Sequence, residues 1–309
     1  LYLKDSLSMK DELAPILLFV YDRPEHTRRL IHSLSNNREA NDSTLYIFSD
    51  AAKDSSSESS VREVRLFIHQ IVGFSKVIVV ERESNWGLAK SIIDGVTSVV
   101  NKYGKVIVLE DDLVVAPHFL KFMNDALISY QDEPNVGHIQ ACDFTNNPNL
   151  PETFLIKWTG SWGWATWRDS WKYFEADGNK LLTQLKERKL TRSFDFNGAY
   201  PFTRMLEKQC RGLNNSWAIR WNASLFLADV LSLNVGRSLV ENRGFDGSGT
   251  HCGGQTIYQS ALWQYELTVD KITPIEENQA ARAIIAKYYS KTNSFCAKAI
   301  RRVKRILNI

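Results

Sequence analysis

Short apolar runs recur along the first half of the chain at nearly constant spacing. They begin near Ile16, Leu45, Val77, Val106 and Val136, in steps of 29, 32, 29 and 30 residues. A step of that length holds one strand, one helix and the return to the next strand. The pattern therefore predicts repeated β-α units around a mostly parallel sheet, with right-handed crossovers.

Apolar residues between these runs recur three or four positions apart, which is the spacing of one helix face. Such faces run through Val61, Val64, Ile68 and Ile71, through Ile92, Val96 and Val99, and from Phe119 to Tyr130. Phe202 to Arg211 and the segment ending near Leu227 are also predicted to be helical. Trp164, Trp167 and Trp171 share this spacing, so we expect part of the Trp-rich stretch to be a helix packed into the core.

The most distinctive polar segment follows the fourth apolar run. Val106 to Leu109 can form a strand buried on both faces, and Glu110, Asp111 and Asp112 come directly after it. In an open α/β sheet, ligands bind at this carboxyl edge. Adjacent carboxylates repel each other unless a cation is shared, and oxygen ligands suit Mg²⁺ or Mn²⁺, which often complete their coordination with phosphate oxygens. The segment predicts a metal site, with a solvated acidic turn as the alternative.

Polar residues also follow the other predicted strands. Arg23 could hold a phosphate or a base, or be a surface arginine, and Asp50 could accept hydrogen bonds from a nucleobase or ribose, or cap the next helix. Gly87 would let the backbone approach a ligand where a helix begins, and Lys90 could meet negative charge one turn later.

The segment from Gly236 to Gly254 combines glycine with cationic residues. Its six glycines favour a mobile loop that closes as a lid over a bound ligand. Arg237, Arg243 and His251 could neutralise a diphosphate leaving group, and His251 could reach the metal. An ordinary flexible connector is the alternative.

Composition excludes several classes of protein. The 309 residues can form one large α/β domain or two smaller ones, and we expect the fold to begin near Leu13. The net charge of +3 argues against a general nucleic-acid binder. The four cysteines have no paired spacing, which disfavours a zinc site or a disulfide framework and fits a reducing compartment. No apolar run could span a bilayer and no signal-peptide core is present, so a cytoplasmic location is expected.

The segments YDRP, FSD, NWGLAKS and VIVLEDDLVVAP, in this order and spacing, resemble those of GT-A-fold glycosyltransferases. The closest resemblance is to the family of the N-acetylglucosaminyltransferase that initiates complex N-glycans, with its bacterial relatives among family 2-like transferases. The resemblance covers about Leu13 to Cys252. It implies a GT-A (Rossmann-like) α/β fold, in which a mostly parallel central sheet is flanked by helices. Residues 13–140 would form the nucleotide-sugar-binding half, and residues 141–280 a Trp-rich, acceptor-side half with the catalytic loop.

The resemblance also implies roles for individual residues. Asp112 would hold Mn²⁺ or Mg²⁺ on the donor diphosphate, while Asp111 would face the ribose or the sugar. Arg23 and Asp50 would contact the nucleoside, and Lys90 would lie near the donor. The expected donor-binding set is Arg23, Asp50, Asn85, Gly87, Lys90, Glu110, Asp111, Gly160, Trp162, Arg237 and Arg243, with Asp112 and His251 as metal ligands.

The Trp-rich half carries the expected acceptor side. In the turn from Gly160 to Gly163, glycines flank Trp162, which suits a pocket for the flat face of a sugar. In the family that the chain resembles, an acid in a later Trp-containing segment is the catalytic base. Here that segment, which includes Asn215, Trp217 and Trp221, has no acid. Either the base comes from elsewhere, with Asp143, Asp195, Asp229 and Glu241 as candidates, or the chain is a weakened variant.

The predicted reaction is metal-dependent transfer of a sugar, with inversion, from a nucleotide diphosphate sugar, a UDP-sugar being favoured. The acceptor would be a glycan, a lipid-linked oligosaccharide or a polysaccharide. One alternative is a sugar nucleotidyltransferase, although YDRPEHT lacks the glycine-rich phosphate loop expected there. Another is a non-catalytic carbohydrate- or nucleotide-binding module derived from a transferase. An aspartyl-phosphate enzyme would leave the Trp-rich half without a role.

The C-terminal segment, residues 281–309, is predicted to be a basic amphipathic helix. Cys296, Ile300, Val303 and Leu307 would form one face and Lys298, Arg301, Arg302 and Arg305 the other. Such a helix can lie on an anionic membrane surface, which would place the protein at the inner face of the membrane. A solvated helix that covers one edge of the domain is the alternative.

Overall fold

The structure is a computed structural model that describes residues 13–245 and 261–294. The strands in these ranges are β1 (Ile16–Val20), β2 (Thr44–Ser49), β3 (Lys76–Glu81), β4 (Lys105–Glu110), β5 (Leu113–Val115), β6 (Val136–Gln140), β7 (Thr153–Ile156), β8 (Trp164–Trp167), β9 (Leu231–Val235) and β10 (Val240–Asn242). The helices are α1 (Pro24–Ser35), α2 (Glu58–Ile68), α3 (Leu88–Tyr103), α4 (Phe119–Ser129), α5 (Arg168–Trp171), α6 (Gly178–Glu187), α7 (Thr191–Phe194), α8 (Phe202–Cys210), α9 (Trp217–Leu227) and α10 (Gln279–Asn293).

Eight of these strands form one sheet in the order β3-β2-β1-β4-β8-β6-β9-β7. β1 pairs in parallel with β2 and β4, β2 with β3, and β6 with β9. β8 is antiparallel to both of its neighbours, so β6 and β9 run in the same direction as β4, and only β7 and β8 run the other way. The predicted fold class, a mostly parallel sheet flanked by helices, is confirmed.

The central strands are buried on both faces, which is why they appear in the sequence as unbroken apolar runs. In β1, Ile16 and Leu18 face a core that also contains residues of α1, α2 and α4. Leu17 and Phe19 face the opposite core, which contains residues of α3 and α9. Helices therefore cover both faces of the sheet. The ends of the strands are not covered in this way and can carry polar residues.

A third hydrophobic cluster lies beside the sheet. It joins apolar residues of α6, α7, α8 and α9 to Phe154 and Ile156 of β7. Ala281, Ile285 and Tyr289 of α10 are buried in the same cluster. The described part of the predicted C-terminal helix therefore packs against the protein, while the residues that would form its apolar and basic faces lie outside the described ranges. No helix in residues 13–245 or 261–294 is long and apolar enough to cross a membrane.

The expected helix through the Trp-rich stretch is wrong for its first half. Trp164 and Trp167 lie on β8, where Trp164 pairs with Val108 on one side and Gln140 on the other. Only Trp171 lies on a helix, the single turn α5. The spacing was misleading because residues three apart point to opposite faces of a strand, and here Trp164 is fully buried whereas Trp167 is partly exposed.

The predicted lid is also partly wrong. Val240 to Asn242 form β10, which pairs antiparallel with β5, so this part of the segment from Gly236 to Gly254 belongs to a small two-stranded sheet. Leu239 and Val240 are fully buried and anchor it. Residues 246–254 lie outside the described ranges.

Candidate functional site

The carboxyl edge of the sheet collects most of the predicted site residues. Parallel strands end at the same edge, so the segments after β1, β2, β3, β4, β6 and β9 meet there. Arg23 follows β1, Asp50 follows β2, the acidic turn follows β4, Asp143 follows β6 and Arg237 follows β9.

Arg23 contacts two carboxylates of the acidic turn. Its Nη1 lies 3.2 Å from Asp112 Oδ2 and 3.8 Å from Asp111 Oδ1. The backbone N–H of Tyr21 donates to Asp111 Oδ2 at 3.2 Å, so the loop after β1 holds Asp111 from a second direction. The side chains of Arg23 and Asp112 are each 16% exposed, which makes this a partly buried ion-pair cluster open on one side.

Burial raises the pKa values of all three acids, and repulsion by neighbouring carboxylates adds to the shift for Glu110 and Asp111. Burial raises the pKa of Asp111 to about 7, with a further contribution from the charge of Asp112, although Arg23 opposes both. The pKa of Glu110 lies well above its ordinary value because of burial and the charges of Asp112 and Asp111. Burial also raises the pKa of Asp112, against the charge of Arg23. Arg23 alone therefore does not stabilise the charged forms of all three carboxyl groups, and a further cation would favour them.

The segment after β10 lies directly on Asp112. The backbone N–H of Arg243 donates to the Asp112 carbonyl at 2.7 Å. A Cβ added to Gly244 would lie 2.4 Å from Asp112 Oδ2, so only glycine permits this close approach. Arg243 Nη2 forms an ion pair with Glu241 Oε2 at 2.8 Å.

The acidic turn suits a divalent cation that shares its coordination with a ligand. Asp112 Oδ1 is buried and has no hydrogen-bond partner in the described part of the chain, although a carboxylate oxygen readily accepts hydrogen bonds or binds a cation. Within residues 13–245 and 261–294, no group of three or more His, Cys, Asp or Glu residues is arranged to hold a metal. His251, the other predicted metal ligand, lies outside these ranges. The residues therefore fit Mg²⁺ or Mn²⁺ bound through few carboxylates and phosphate oxygens, and do not form a closed protein site.

Asp50 holds the loop between β3 and α3. Its Oδ1 accepts hydrogen bonds from the backbone N–H groups of Ala51 and Trp86 at 2.9 and 2.8 Å, and its Oδ2 accepts one from Gly87 at 2.7 Å. Asn85 Nδ2 donates to the Ala51 carbonyl at 2.8 Å and ties the two loops together again. Gly87 has a φ of 72°, which favours glycine. Asp50 therefore does not cap α2, the next helix along the chain, but shapes the backbone where α3 begins, and its contact with a nucleoside stays a prediction.

Lys90 and Arg82 both contact the ring of Trp86. The Lys90 Nζ and the Arg82 Cζ each lie 3.8 Å from the ring centroid. The ammonium of Lys90 and the guanidinium of Arg82 therefore each make a cation–π contact with the Trp86 ring. Sequence reasoning selected Lys90 but missed Arg82 and Trp86, although the alternation of charge and aromatic residues in this segment was a usable signal.

A side chain of β6 supports the turn around Trp162. Gln140 Nε2 donates to the Trp162 carbonyl at 3.3 Å, and a Cβ on Gly160 would lie 2.6 Å from the same nitrogen. The Trp162 ring packs edge-on against Phe245, with centroids 5.7 Å apart. Trp162 is partly exposed and therefore able to line a pocket. Gln140 is a contributor that the sequence did not reveal, because nothing in a buried strand distinguishes it.

Two of the four candidate bases lie near the carboxyl edge. Asp143 accepts hydrogen bonds from the backbone N–H groups of Thr145 and Asn146, and burial raises its pKa while the charge of Arg237 opposes the shift. Glu241 lies on β10, opposite Val114 of the strand that follows the acidic turn.

The other two candidates have structural contacts elsewhere. Asp229 precedes β9, so it lies at the amino edge of the sheet, away from the acidic turn, and it forms an exposed ion pair with Lys157. Asp195 accepts a hydrogen bond from the N–H of Thr203 at 2.6 Å and lies between α7 and α8 of the third cluster.

The expected acceptor contacts of Trp217 and Trp221 are also corrected. Their exposures are 3% and 0%, and Trp221 Nε1 donates to His138 Nδ1 at 3.1 Å, so both are core residues. The physical reason is that α9 lies flat on the sheet and buries this face against Trp164. Asn215 is exposed just before the helix begins at its cap, Ser216. Because α9 runs toward the amino edge, where β9 begins, Asn215 lies toward the carboxyl edge.

The polar contacts of Arg237 are with backbone carbonyls. Its Nη1 donates to the Gly236 carbonyl at 2.7 Å and its Nη2 to the Pro148 carbonyl at 3.2 Å. Arg237 lies at the carboxyl edge after β9, and its guanidinium holds the loop that contains Pro148. Direct contact with a diphosphate stays a prediction for both Arg237 and Arg243.

Comparisons with known proteins identify a family. Residues 16–194, more than half of the chain, match the family model described as Glycosyl transferase family 2. No curated protein sequence matches the chain. Similar solved structures include S. aureus TarS, with 14% identity and a TM-score of 0.34 over 56% of this chain and 29% of that one. The chain therefore spans less than a third of TarS.

Two further solved structures are similar over larger shares. The mannosyltransferase PcManGT from Pyrobaculum calidifontis, in complex with GDP-Man and Mn²⁺, has 13% identity and a TM-score of 0.38 over 70% of this chain and 74% of that one. Mouse xyloside xylosyltransferase 1 has 12% identity and a TM-score of 0.36 over 70% of this chain and 83% of that one.

Proposed function

Because the chain belongs to glycosyl transferase family 2, we propose that it transfers a sugar from a nucleoside diphosphate sugar to a hydroxyl of a glycan, lipid-linked or polysaccharide acceptor. The observation that carries the proposal is the cluster of Arg23, Asp111 and Asp112 at the carboxyl edge. Three clustered carboxyl groups, a carboxylate oxygen without a hydrogen-bond partner among the described residues and a nearby guanidinium together suit a cation-bound diphosphate. A UDP-linked hexose or N-acetylhexosamine is the donor that we favour, in line with the resemblance to N-acetylglucosaminyltransferases.

The acidic turn would hold the diphosphate end of the donor. Asp112 is the proposed ligand of Mn²⁺ or Mg²⁺, which when bound would neutralise the diphosphate charge that develops as the glycosidic bond breaks. Asp111 would face the ribose or the sugar. Arg23 and Arg243 would add positive charge beside the leaving group, and His251 remains the proposed second metal ligand.

The loops around this turn would orient the rest of the donor. Asp50 fixes the backbone at Trp86 and Gly87, so the start of α3 presents a rigid surface. Trp162 is partly exposed beside Phe245 and would contact the sugar. Together these segments would exclude water, which otherwise hydrolyses the donor.

Direct displacement with inversion needs a general base for the acceptor hydroxyl. Asp143 and Glu241 are the acids that we propose for this role, because both lie close to the carboxyl edge. Burial raises the pKa of Asp143, which suits a group that has to accept a proton.

Calorimetric titration with UDP, GDP, dTDP and CDP, with and without Mn²⁺, tests the donor site. We expect metal-dependent binding of one nucleotide, lost in Asp112→Asn. Asp169→Asn is the matched control, because Asp169 is exposed on α5 and pairs with Lys172. If the folded wild-type protein binds none of the four nucleotides in the presence of Mn²⁺, the proposed function is wrong.

A non-catalytic binding protein is the second candidate. It is favoured by one observation: no acid occurs from Asn214 to Trp221, where the family that the sequence resembles carries its base. Incubation with the donor of the best-binding nucleotide separates the two. Release of nucleoside diphosphate, by hydrolysis or by transfer to an added glycan, supports the enzyme, and binding without turnover across an acceptor panel supports the binding protein.

A further inference from the structure

The guanidinium of Arg23 lies against the carboxylates that a divalent cation would need. It is 3.2 Å from Asp112 Oδ2 and 3.8 Å from Asp111 Oδ1, and the three side chains are only 11% to 16% exposed. Arg23 therefore already compensates part of the negative charge that makes this turn attractive to a metal.

Hydrogen bonds hold the backbone around this contact in place. The Arg23 carbonyl accepts hydrogen bonds from the backbone N–H of Thr27 at 3.0 Å and from its hydroxyl at 2.9 Å. Asp111 is held by the Tyr21 N–H, and the Asp112 carbonyl is held by the N–H of Arg243. The Arg23 side chain, which is long and has several rotatable bonds, is thus the part of the cluster that can move without disturbing the fold.

A divalent cation on Asp112 would meet the guanidinium at short range. Like charges at such a distance repel strongly where water is partly excluded, so both cannot stay in full contact with the same carboxylate pair. Asp112 Oδ1, which has no hydrogen-bond partner within residues 13–245 and 261–294, offers a first point of contact for the metal, next to the oxygen that Arg23 holds.

We propose that Arg23 is an internal counter-ion that occupies the Asp111–Asp112 pair before the metal binds, moves off it when the metal binds, and then contacts the donor phosphates. The last step rests on the proposed function; the displacement does not. Arg23 would in this way make metal binding alone weak and metal binding together with a nucleotide strong. The protein would then hold a metal firmly only when a donor is present.

Two binding measurements test the proposed displacement of Arg23, because substitution of Arg23 should strengthen one affinity and weaken the other. Mn²⁺ titration without nucleotide, followed by electron paramagnetic resonance of free Mn²⁺, should show tighter binding by Arg23→Gln than by wild type, within the roughly 5- to 150-fold range usual for coupled ligands. UDP binding at saturating Mn²⁺ should be weaker in Arg23→Gln by a similar factor. Arg28→Gln, which removes an exposed arginine of α1 that pairs with Glu25 and Glu63, should change neither.

Further variants keep the outcome decisive. Asp112→Asn in the Arg23→Gln background should abolish the gain in Mn²⁺ affinity, which ties the gain to this carboxylate. Arg23→Lys, which keeps the charge, should lie between wild type and Arg23→Gln and serves if the glutamine variant does not fold. Equal or weaker Mn²⁺ binding by folded Arg23→Gln overturns the proposal, because Arg23 would then only position the acids. If no nucleotide binds to wild type, the proposed function fails, while the Mn²⁺ titrations still decide the displacement.

Discussion

Asp112 and Gly244 lie in contact across the site although they are 132 positions apart in the sequence. A side chain at position 244 would collide with the Asp112 carboxylate. A Cβ there would lie 2.4 Å from Asp112 Oδ2 and 3.0 Å from its Cγ. The contact holds the acidic turn between the loop after β1 and the end of β10.

Gly244→Ala should therefore disturb the acidic turn. We expect the free energy of unfolding to fall by about 1–3 kcal/mol, as for other overpacked sites, and Mn²⁺-dependent nucleotide binding to weaken. Chemical denaturation and calorimetry measure the two effects. In the Asp112→Ala background only the Cβ of residue 112, at 3.1 Å, stays close to the added methyl group, so Gly244→Ala should cost less stability there. An equal loss in both backgrounds would show that position 244 matters for another reason.

Asp50→Asn should destabilise the protein by about 1–3 kcal/mol, because the carboxylate accepts hydrogen bonds from three backbone N–H groups and an amide can replace only part of them. Denaturant titration measures this loss. Asp169→Asn, an exposed change of the same kind, should stay within about 0.5 kcal/mol of wild type. If Asp50→Asn is as stable as that control and only nucleotide binding falls, Asp50 acts on the ligand directly.

His138 should make stability depend on pH. Burial lowers its pKa from 6.5 to about 3, although its hydrogen bonds to Gln140 and Gly160 oppose the shift. Between these values the unfolded chain binds a proton that the folded protein excludes, so stability is complete above pH 6.5 and falls as the pH drops toward 3.

The contribution of His138 should reach about 1.4 kcal/mol per pH unit. It is measured as the difference between the stability curves of wild type and His138→Gln, in which Gln can still accept from Trp221. Parallel curves for the two proteins between pH 6 and 4 would contradict it.

Substitution of the catalytic base should lower turnover and leave donor binding intact. Asp143→Asn or Glu241→Gln should reduce the rate of transfer by roughly 10²- to 10⁴-fold if that residue is the base. Asp229→Asn is the control, because Asp229 lies at the opposite edge of the sheet. Full activity in both edge variants would remove both candidates.

The sequence predicts the repetitive half of the fold well and the contacts between distant segments poorly. The starts of β1, β2, β3, β4 and β6 follow from apolar runs, because the burial of a strand depends mainly on the residues of that strand. Trp164 and Trp167 were misassigned because residues three apart fit either a helix or the two faces of a strand.

In the candidate site, too, the features that are local in sequence were predicted and the contacts between distant segments were not. The strand ends identified Arg23 and the acidic turn, because topology alone brings the ends of parallel strands together. The contact of Gly244 with Asp112 and the support of Trp162 by Gln140 depend on how far each loop reaches, which spacing does not record. Burial of Trp217 and Trp221 depends on how α9 lies on the sheet, and the sequence alone does not distinguish an aromatic residue of a core from one that lines a ligand site.

The strand order also constrains how this protein is made. β7 pairs only with β9 among the described strands, and β9 enters the sheet next to β6, about a hundred residues after it in the chain. During synthesis on the ribosome, β1 to β4 can pair as soon as they emerge, whereas β7 waits for residues 231–235 before it has a neighbour. A nascent chain that stops near residue 194 would therefore expose the open edge of β6, which is a site where another strand could pair and aggregation could begin.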